Sequence, residues 1–370
     1  MTDRRTPSAG FLKALFSLFL LAAIFPSPLP AQMGDFGSMG DMADASQFMQ
    51  YIPPFIKDVW HEPEAPGVGD GITVYAEIFR LNLTPDSMEY VEEAYLEYST
   101  DGGETWEEVE MYEVEDEANT WSGEIPALEE AGEVLYRIRA ADSAGNMVLE
   151  KPYPIEEDAE SLSDLELGLE IEDEDESDEQ IPSYLNILST GFDYDDDYYY
   201  FHQEFESKPD QGTISPIDAN VYILAMINKF PEIDFTKFKM TKDHIESMAE
   251  EVGKDMAGHI AVWFYAPIAD IAPPLPEIGK IPGVALIRLD EENIKRPIFG
   301  TDGFEYEIED NSFNLRFERE SMPGEPADML MFVSFNIRIV GSDFSTAKPE
   351  KGDVSNSVVV YFRSHSVEVE

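Results

Sequence analysis

The chain contains no cysteine. This absence excludes disulfide bonds, a lipid-modified N-terminal cysteine, thiolate zinc sites and cysteine nucleophiles. It leaves the compartment open, because large β-domains can be secreted without disulfides.

Basic residues are also scarce. The 370 residues include 24 Lys and Arg against 77 Asp and Glu, which gives a formal net charge of −53. Such a charge repels nucleic acid and anionic membrane surfaces, so both are excluded as partners. It is typical of a solvated surface, and a habitat rich in salt or divalent cations is the alternative. Because 43% of the residues are hydrophobic and 12% aromatic, the chain can still form cores, and its length suggests about two domains.

Long apolar runs are rare as well, and residues 14–25 form one that is too short to span a bilayer comfortably. Basic residues precede this run and helix-breaking prolines follow it: Arg4, Arg5, Lys13, Pro26, Pro28 and Pro30. The pattern predicts a signal peptide over residues 1–31, with an uncleaved anchor as the alternative. Residues 32–50 are rich in Met, Gly, Asp, Ser and Ala and predict a flexible leader. We expect an exported protein that is periplasmic, extracellular or at the cell surface, without a membrane-spanning segment after cleavage.

Motifs for catalysis are absent. There is no G-x-S-x-G elbow, P-loop or dinucleotide fingerprint, and no histidine pair has the spacing of a zinc hydrolase. Pairs of carboxylates carry no information, since 77 acids place some pair at glycosidase distance by chance. We therefore expect a protein that is not an enzyme, with a polysaccharide-active enzyme as the minor alternative.

An acidic segment divides the chain. Residues 155–180 hold fourteen carboxylates and no Lys or Arg, so this stretch repels itself and buries little apolar area. It predicts a disordered, solvated linker over residues 154–180 between two compact modules. We expect no fixed orientation between them.

The first module, residues 51–153, shows short alternating runs at roughly ten-residue spacing. Clear examples are 71–79, 91–98, 105–114, 121–125 and 133–141. This rhythm predicts an antiparallel β-sandwich.

Three stretches of this module, 66–74, 96–106 and 134–146, resemble the Ig-like and fibronectin type III-like modules of secreted bacterial proteins. The resemblance implies a buried Tyr136 in the penultimate strand and a hairpin turn at 144–146. Residues 99–106 also match the Asp-box hairpin S-x-D-x-G-x-T-W, which resembles those of sialidases and other propellers. A propeller needs several copies, so one copy predicts a lone structural hairpin.

The second module, residues 181–370, combines many strand-like runs with one amphipathic stretch at 242–254 that predicts a short helix. It predicts a larger β-sandwich. The stretches 191–205, 283–286 and 314–317 are similar to DOMON-like domains and family-nine carbohydrate-binding modules. This similarity implies a sandwich that binds a sugar, haem or another ligand without hydrolysis. The sequence shows no Met and His pair that aligns with the axial haem ligands of such domains. Haem is therefore not expected as a ligand of this chain, and no resident cofactor is expected. The predicted fold class is thus all-β: two sandwich domains, an acidic linker and one short helix.

A cation site is the first candidate for chemistry. Asp193, Asp195 and Asp197 have the spacing of a calcium loop, and hard oxygen ligands of this kind suit Ca²⁺. Tyr198 stands where such a loop needs glycine. A solvated acidic turn is therefore the alternative.

A ligand groove is the second candidate. Tyr200 and His202 alternate with the predicted inward face of their strand, and Trp263 and Tyr265 lie on a predicted neighbouring strand. Exposed rings beside polar groups suit sugar stacking, whereas coverage of both faces is the alternative.

Together these features predict an exported, acidic, non-catalytic binding protein whose C-terminal sandwich recognises a glycan or another extracytoplasmic ligand. A structural or assembly component of the cell envelope, acting through protein contacts, is the alternative.

Overall fold

The structure is a computed structural model. It describes residues 53–80, 90–115, 117–151, 154–155, 162, 167–172, 181–210, 212–214, 217–229, 260–265, 284–288, 298–300, 302–341 and 348–370. The predicted signal peptide, leader and helix at 242–254 lie outside these residues.

The described residues are almost entirely β, which confirms the predicted fold class. In chain order the strands are β1 (Phe55–Glu62), β2 (Ile72–Phe79), β3 (Val91–Ser99), β4 (Glu107–Glu110), β5 (Tyr112–Glu113), β6 (Thr120–Ile125), β7 (Gly132–Asp142), β8 (Met147–Glu150), β9 (Leu169–Glu172), β10 (Ile187–Tyr194), β11 (Tyr198–Phe205), β12 (Gly212–Ile214), β13 (Ile217–Ile227), β14 (Ile260–Tyr265), β15 (Val284–Arg288), β16 (Ile298–Gly300), β17 (Phe304–Glu309), β18 (Ser312–Glu318), β19 (Met329–Gly341), β20 (Lys348–Val354), β21 (Val358–Tyr361) and β22 (His365–Val369). A short 3-10 turn covers Arg319–Ser321. Across the described ranges, no helix is long and apolar enough to cross a membrane.

The chain folds into two compact units. The first unit comprises residues 48–153, 328–331 and 356–370, and the second comprises 154–327 and 332–355. The expected boundary, which assigned all of 181–370 to the second module, therefore needs correction. Residues 356–370 return to the first unit because their strands pair with its strands.

The first unit is a sandwich of two antiparallel sheets. One has the order β1-β2-β6-β5, and the other contains the run β8-β7-β3-β4. The alternation of β2 explains the packing, since every second residue is fully buried: Ile72, Val74, Ala76 and Ile78. The opposite sheet contributes buried Leu96, and a side chain on Gly123 of β6 would meet it, so the two inner faces pack closely.

The two strands at residues 356–370 complete this unit. β22 pairs antiparallel with β7, and β21 pairs parallel with β8. The backbone N–H of Glu370 donates to the carbonyl of Pro66, and the N–H of Val68 donates to the carbonyl of Glu370, both at 3.0 Å. A segment more than two hundred positions away along the chain thus supplies part of the sheet.

The second unit is also built from two sheets. One has the order β17-β18-β11-β10-β9, and the other contains the run β16-β15-β14-β13-β19. Their inner faces meet through aromatic rings. Phe332 of β19 lies 5.1 Å from Phe192 and 5.2 Å from Phe201, and Tyr222 of β13 lies 5.2 Å from Phe313, all between ring centroids.

Part of the predicted linker is a strand. β9, inside the acidic run, pairs antiparallel with β10 and buries Leu169 and Ile171. The reason is the alternation of apolar and acidic residues over 169–172, which gives one face that can be buried. The prediction of a disordered linker over all of 154–180 was wrong at these residues.

Candidate functional site

The three aspartates of the predicted cation loop do not converge. Asp193 is fully buried, and its carboxylate accepts the backbone N–H groups of Gly168 at 2.7 Å and Tyr194 at 2.8 Å. Asp195 accepts the N–H groups of Asp197 at 2.7 Å and Tyr198 at 2.6 Å, which closes the turn from β10 to β11. Within the described ranges, no group of three or more acids or histidines is placed to hold a metal. The solvated turn fits Asp195 and Asp197, whereas Asp193 is buried in β10, so neither the calcium loop nor a solvated turn describes all three residues.

The predicted groove residues lie on opposite faces of their sheets. Tyr200 is 6% exposed, and its hydroxyl donates to Asp195 Oδ2 at 2.5 Å. Burial and that carboxylate raise the pKa of Tyr200. His202 is half-buried with its Nδ1 2.7 Å from Asn314 Oδ1. Both point away from the aromatic interior, because the inward residues of β11 are the alternate ones.

Trp263 and Tyr265 point into the sandwich. Trp263 is fully buried and lies 5.6 Å from Phe313, while Tyr265 is half-buried and nearly parallel to Trp263. The prediction that Tyr200 and Trp263 line one groove is therefore wrong, since β11 sends Tyr200 outward and β14 sends Trp263 inward.

The exposed member of this cluster is Tyr306, which the sequence prediction missed. It is 40% exposed and lies 6.2 Å from Trp263 and 6.1 Å from Tyr265. Tyr306 shares one face of its strand with Phe304 and Ile308, and this pattern does not show which side chain reaches solvent.

A larger aromatic surface lies on the outer face of the first unit. Strand register places Trp60 beside Tyr75, Tyr75 beside Ser122, and Ser122 beside Tyr112. We call these four residues the aromatic row. Trp60 is 39% exposed and Tyr112 is 63% exposed, and the Trp60 and Tyr75 rings stack 5.4 Å apart at 11°. The row crosses all four strands, with the small Ser122 between Tyr75 and Tyr112.

Carboxylates flank the aromatic row on both sides. Glu62 and Glu124 pair with Thr73 on one side, and Asp58 pairs with Glu77 on the other. Lys57 contacts Glu77 at 2.7 Å and Asp58 at 3.5 Å, so the negative charge on that side is partly neutralised. The hydroxyl of Tyr112 donates to Glu110 at 2.6 Å, and this bond raises the tyrosine pKa.

The Asp-box stretch is a hairpin brace, as predicted. Asp101 accepts the Thr105 N–H at 2.9 Å and the Thr105 hydroxyl at 2.6 Å, which lowers the pKa of Asp101 to about 2. Trp106 donates its Nε1–H to the carbonyl of Gly103 at 3.1 Å, and the Arg137 guanidinium lies 4.1 Å from the Trp106 ring centre. Gly102 and Gly103 have φ values of 79° and 97°, a conformation that favours glycine. These contacts are internal to the fold.

Comparison with known proteins gives distant matches. No family model matches the chain, and no curated protein matches its sequence. Solved structures to which it is similar include the collagen adhesin CNA from S. aureus (6% identity, 86% of this chain and 96% of that chain, TM-score 0.18). Others are the Yersinia pseudotuberculosis adhesin InvE (6%, 87% and 61%, TM-score 0.17) and the FN1–FN3 domains of chicken CNTN1 (9%, 86% and 99%, TM-score 0.19). At these TM-scores the likeness carries no argument about function, and the β-sandwich description rests on the strands themselves.

Proposed function

We propose that this is an exported, non-catalytic binding protein that recognises a neutral saccharide on the aromatic row of its first unit. The observation that carries the proposal is the row itself, in which Trp60 and Tyr112 present large rings to solvent on a regular sheet. The recognition surface expected in the C-terminal sandwich is thus proposed in the first unit instead.

The chemistry of the row suits a sugar. The C–H faces of a pyranose pack against aromatic rings, and the flanking carboxylates accept hydrogen bonds from its hydroxyls. Glu62 and Glu124 on one side and Asp58 on the other repel uronate or sulfated chains. We therefore propose an uncharged glycan as the ligand class.

The proposal of export rests on residues 1–31. Their basic start, apolar run of about twelve residues and following prolines fit a signal peptide. A glycan-binding surface is useful outside the cytoplasm, where polysaccharides are exposed.

The second candidate is an assembly protein that uses the same row for a basic protein segment. The observation that favours it is the excess of carboxylate around the rings, since Lys and Arg groups both pair with carboxylates and lie over aromatic faces. The net charge of −53 also favours cationic partners at long range.

The test is an array of neutral and anionic glycans probed with residues 32–370, followed by titration of any hit. We expect binding to neutral glycans and a loss of about tenfold in affinity, equivalent to about 1.4 kcal/mol, for Trp60→Ala and for Tyr112→Ala. Tyr90→Ala is the matched control, because Tyr90 is 57% exposed in the same unit but lies outside the row.

Three outcomes would count against the proposal. Binding that survives both row substitutions would place the site elsewhere, and Tyr306→Ala would then be the next variant. Exclusive binding to anionic glycans would contradict the charge argument. An array without hits, combined with row-dependent capture of a Lys-rich peptide, would support the assembly function instead.

A further inference from the structure

Several polar atoms inside the second unit have no hydrogen-bond partner among the residues that the structure describes. These atoms are Thr190 Oγ1, both amide atoms of Gln203 and Ser334 Oγ. Thr190 is 2% exposed, and Gln203 and Ser334 are 0% exposed. Buried polar groups are nearly always bonded to protein or to ordered water. A cluster of exceptions needs an explanation.

The strand register brings these three side chains together. Thr190 and Gln203 are directly opposite each other in the β10–β11 pair. Phe192 and Phe201, the next inward pair, both contact Phe332 of β19. Because inward residues alternate, β19 directs Phe332 and then Ser334 at this hairpin.

Asn336 fixes the direction of β19. Its Nδ2 donates to the carbonyl of Leu185 at 3.0 Å, so β19 runs from the Phe192 level toward residue 185. Ser334 lies between Phe332 and Asn336, and it therefore faces the Thr190–Gln203 pair across the two sheets. We call Thr190, Gln203 and Ser334 the polar island.

Apolar residues flank the polar island on both sides within the β10–β11 sheet. On the adjacent strands of the same sheet, Ile171 of β9 is paired with Thr190, and Phe313 of β18 is paired with Gln203. Both are buried. The island side chains are uncharged, so their missing partner is small, uncharged and able both to donate and to accept hydrogen bonds.

We propose that ordered water fills the polar island and bridges the two sheets of the second unit. A water molecule donates two hydrogen bonds and accepts two, which matches a set containing an amide donor, an amide acceptor and two hydroxyls. The bridge joins the β10–β11 hairpin to β19 by hydrogen bonds, in addition to the aromatic contacts and the Asn336–Leu185 bond.

The direct test is a water-to-amide magnetisation transfer experiment by NMR on the ¹⁵N-labelled, deuterated full chain. The side-chain amide signal of Gln203 is assigned by its disappearance in Gln203→Met. We expect a cross-peak from long-lived water to this amide. A Gln203 amide without such a cross-peak would overturn the proposal, and this readout needs no variant other than the one used for assignment.

Thermal unfolding supplies a second test, in which the sign of the change in the unfolding midpoint distinguishes a water-filled island from a dry one. If water satisfies the island, Gln203→Met, Thr190→Val and Ser334→Ala each lower the unfolding midpoint by several degrees, because each removes a used hydrogen bond. If the island is dry, the same substitutions remove an unsatisfied group and raise the midpoint. Ser357→Ala is the reference for a bonded hydroxyl, since Ser357 donates to Asn146 Oδ1 at 2.9 Å and is also fully buried.

Native mass spectrometry separates water from another occupant. Water leaves no mass excess on the folded chain after desolvation. A stoichiometric excess that matches a small organic molecule, and that Gln203→Met abolishes, would overturn water as the occupant.

Discussion

The two units differ in how they satisfy polar groups in their interiors. In the first unit, buried Asp142 accepts from Arg80 Nε at 2.5 Å, and buried Glu150 accepts from Arg363 Nε at 2.7 Å. In the second unit, the polar island has no hydrogen-bond partner among the described residues, and the sheets meet mainly through rings. Buried charged pairs thus connect the strands of the first interior, whereas the second interior is held mainly by ring contacts together with hydrogen bonds of uncharged donors, such as Asn336 to the carbonyl of Leu185.

The bonds of the first unit join segments that are distant in the chain. Glu150 also lies 3.0 Å from His365 Nε2, and its second oxygen accepts the Ile138 N–H at 3.0 Å. Asn146 Oδ1 accepts the N–H of Ser357 at 3.0 Å. A parallel strand such as β21 has no hairpin to set its register, so these polar contacts select the register for it.

The largest effect is expected from truncation after Ser355. This change removes β21 and β22, exposes the edges of β7 and β8, and leaves Glu150 without its partners Arg363 and His365. We expect the first unit to fail to fold, as measured by loss of amide protection at Ile72, Val74 and Ile138 in hydrogen exchange.

The control for the truncation restores the missing strands. A chain of residues 51–153 joined by a short Gly/Ser linker to 356–370 is expected to fold, whereas 51–153 alone is not. Cooperative unfolding of 51–153 alone would show that the returning strands are dispensable.

The next effect is expected from Phe313→Ala in the second unit. Phe313 is fully buried and contacts Phe205, Tyr222, Trp263 and Tyr265 with centroid distances of 5.2 to 5.6 Å. Loss of this ring is expected to cost about 3–5 kcal/mol in the free energy of unfolding, measured by urea titration. Phe304→Ala on the half-buried edge strand of the same sheet should cost much less. Equal costs would contradict an interior specified by ring packing.

A smaller loss is expected from Glu150→Gln in the first unit. The amide retains the shape of the side chain but withdraws the charge from Arg363 and His365, so we expect a loss of about 2 kcal/mol. Glu97→Gln is the control. Glu97 pairs with Arg137 nearer the surface, where an ion pair is worth less than about 1 kcal/mol. If Glu150→Gln were neutral, the directional bonds would not stabilise the unit.

The smallest effect concerns the surface hairpin of the first unit. Hydrogen bonds from Thr105 hold the pKa of Asp101 at about 2 in the folded state, below its ordinary 3.8. A depressed carboxyl pKa contributes stability that is present above about pH 4 and is lost as the pH falls toward 2. We expect the Thr105 amide shift to titrate in that window in the native chain and to stay flat in Asp101→Asn. A titration midpoint near pH 3.8 would mean that the hydrogen bonds from Thr105 do not lower the pKa of Asp101 and do not stabilise the folded hairpin.

The strands were largely predictable because alternation is a local signal. The runs 71–79 and 91–98 became β2 (72–79) and β3 (91–99), and the Asp-box turn formed its expected bonds. β9 was also readable from Leu167, Leu169 and Ile171, but the surrounding charge concealed it. The return of β21 and β22 to the first unit was not predictable, since no local pattern specifies a partner two hundred positions away.

The candidate site was less predictable than the fold, because exposure depends on what covers a face. A sugar platform needs exposed rings, and the sequence offered Tyr200, Trp263 and Tyr265. The opposite sheet covers Trp263, however, because Tyr306 of β17 and Phe313 of β18 pack against its ring. Trp60 and Tyr112 are separated by fifty residues and meet in one row only through the register of four strands.

The return of residues 356–370 has a consequence for biogenesis. The first unit begins near residue 48, yet its sheet closes only after the whole second unit has been synthesised. A ribosome that stalls within the second unit, or a protease that cuts there before folding, leaves the first unit without β21 and β22. If truncation after Ser355 prevents folding as expected, maturation of the aromatic row is coupled to completion of the chain beyond residue 355, and an unfinished product is exposed to proteases as an unfolded chain.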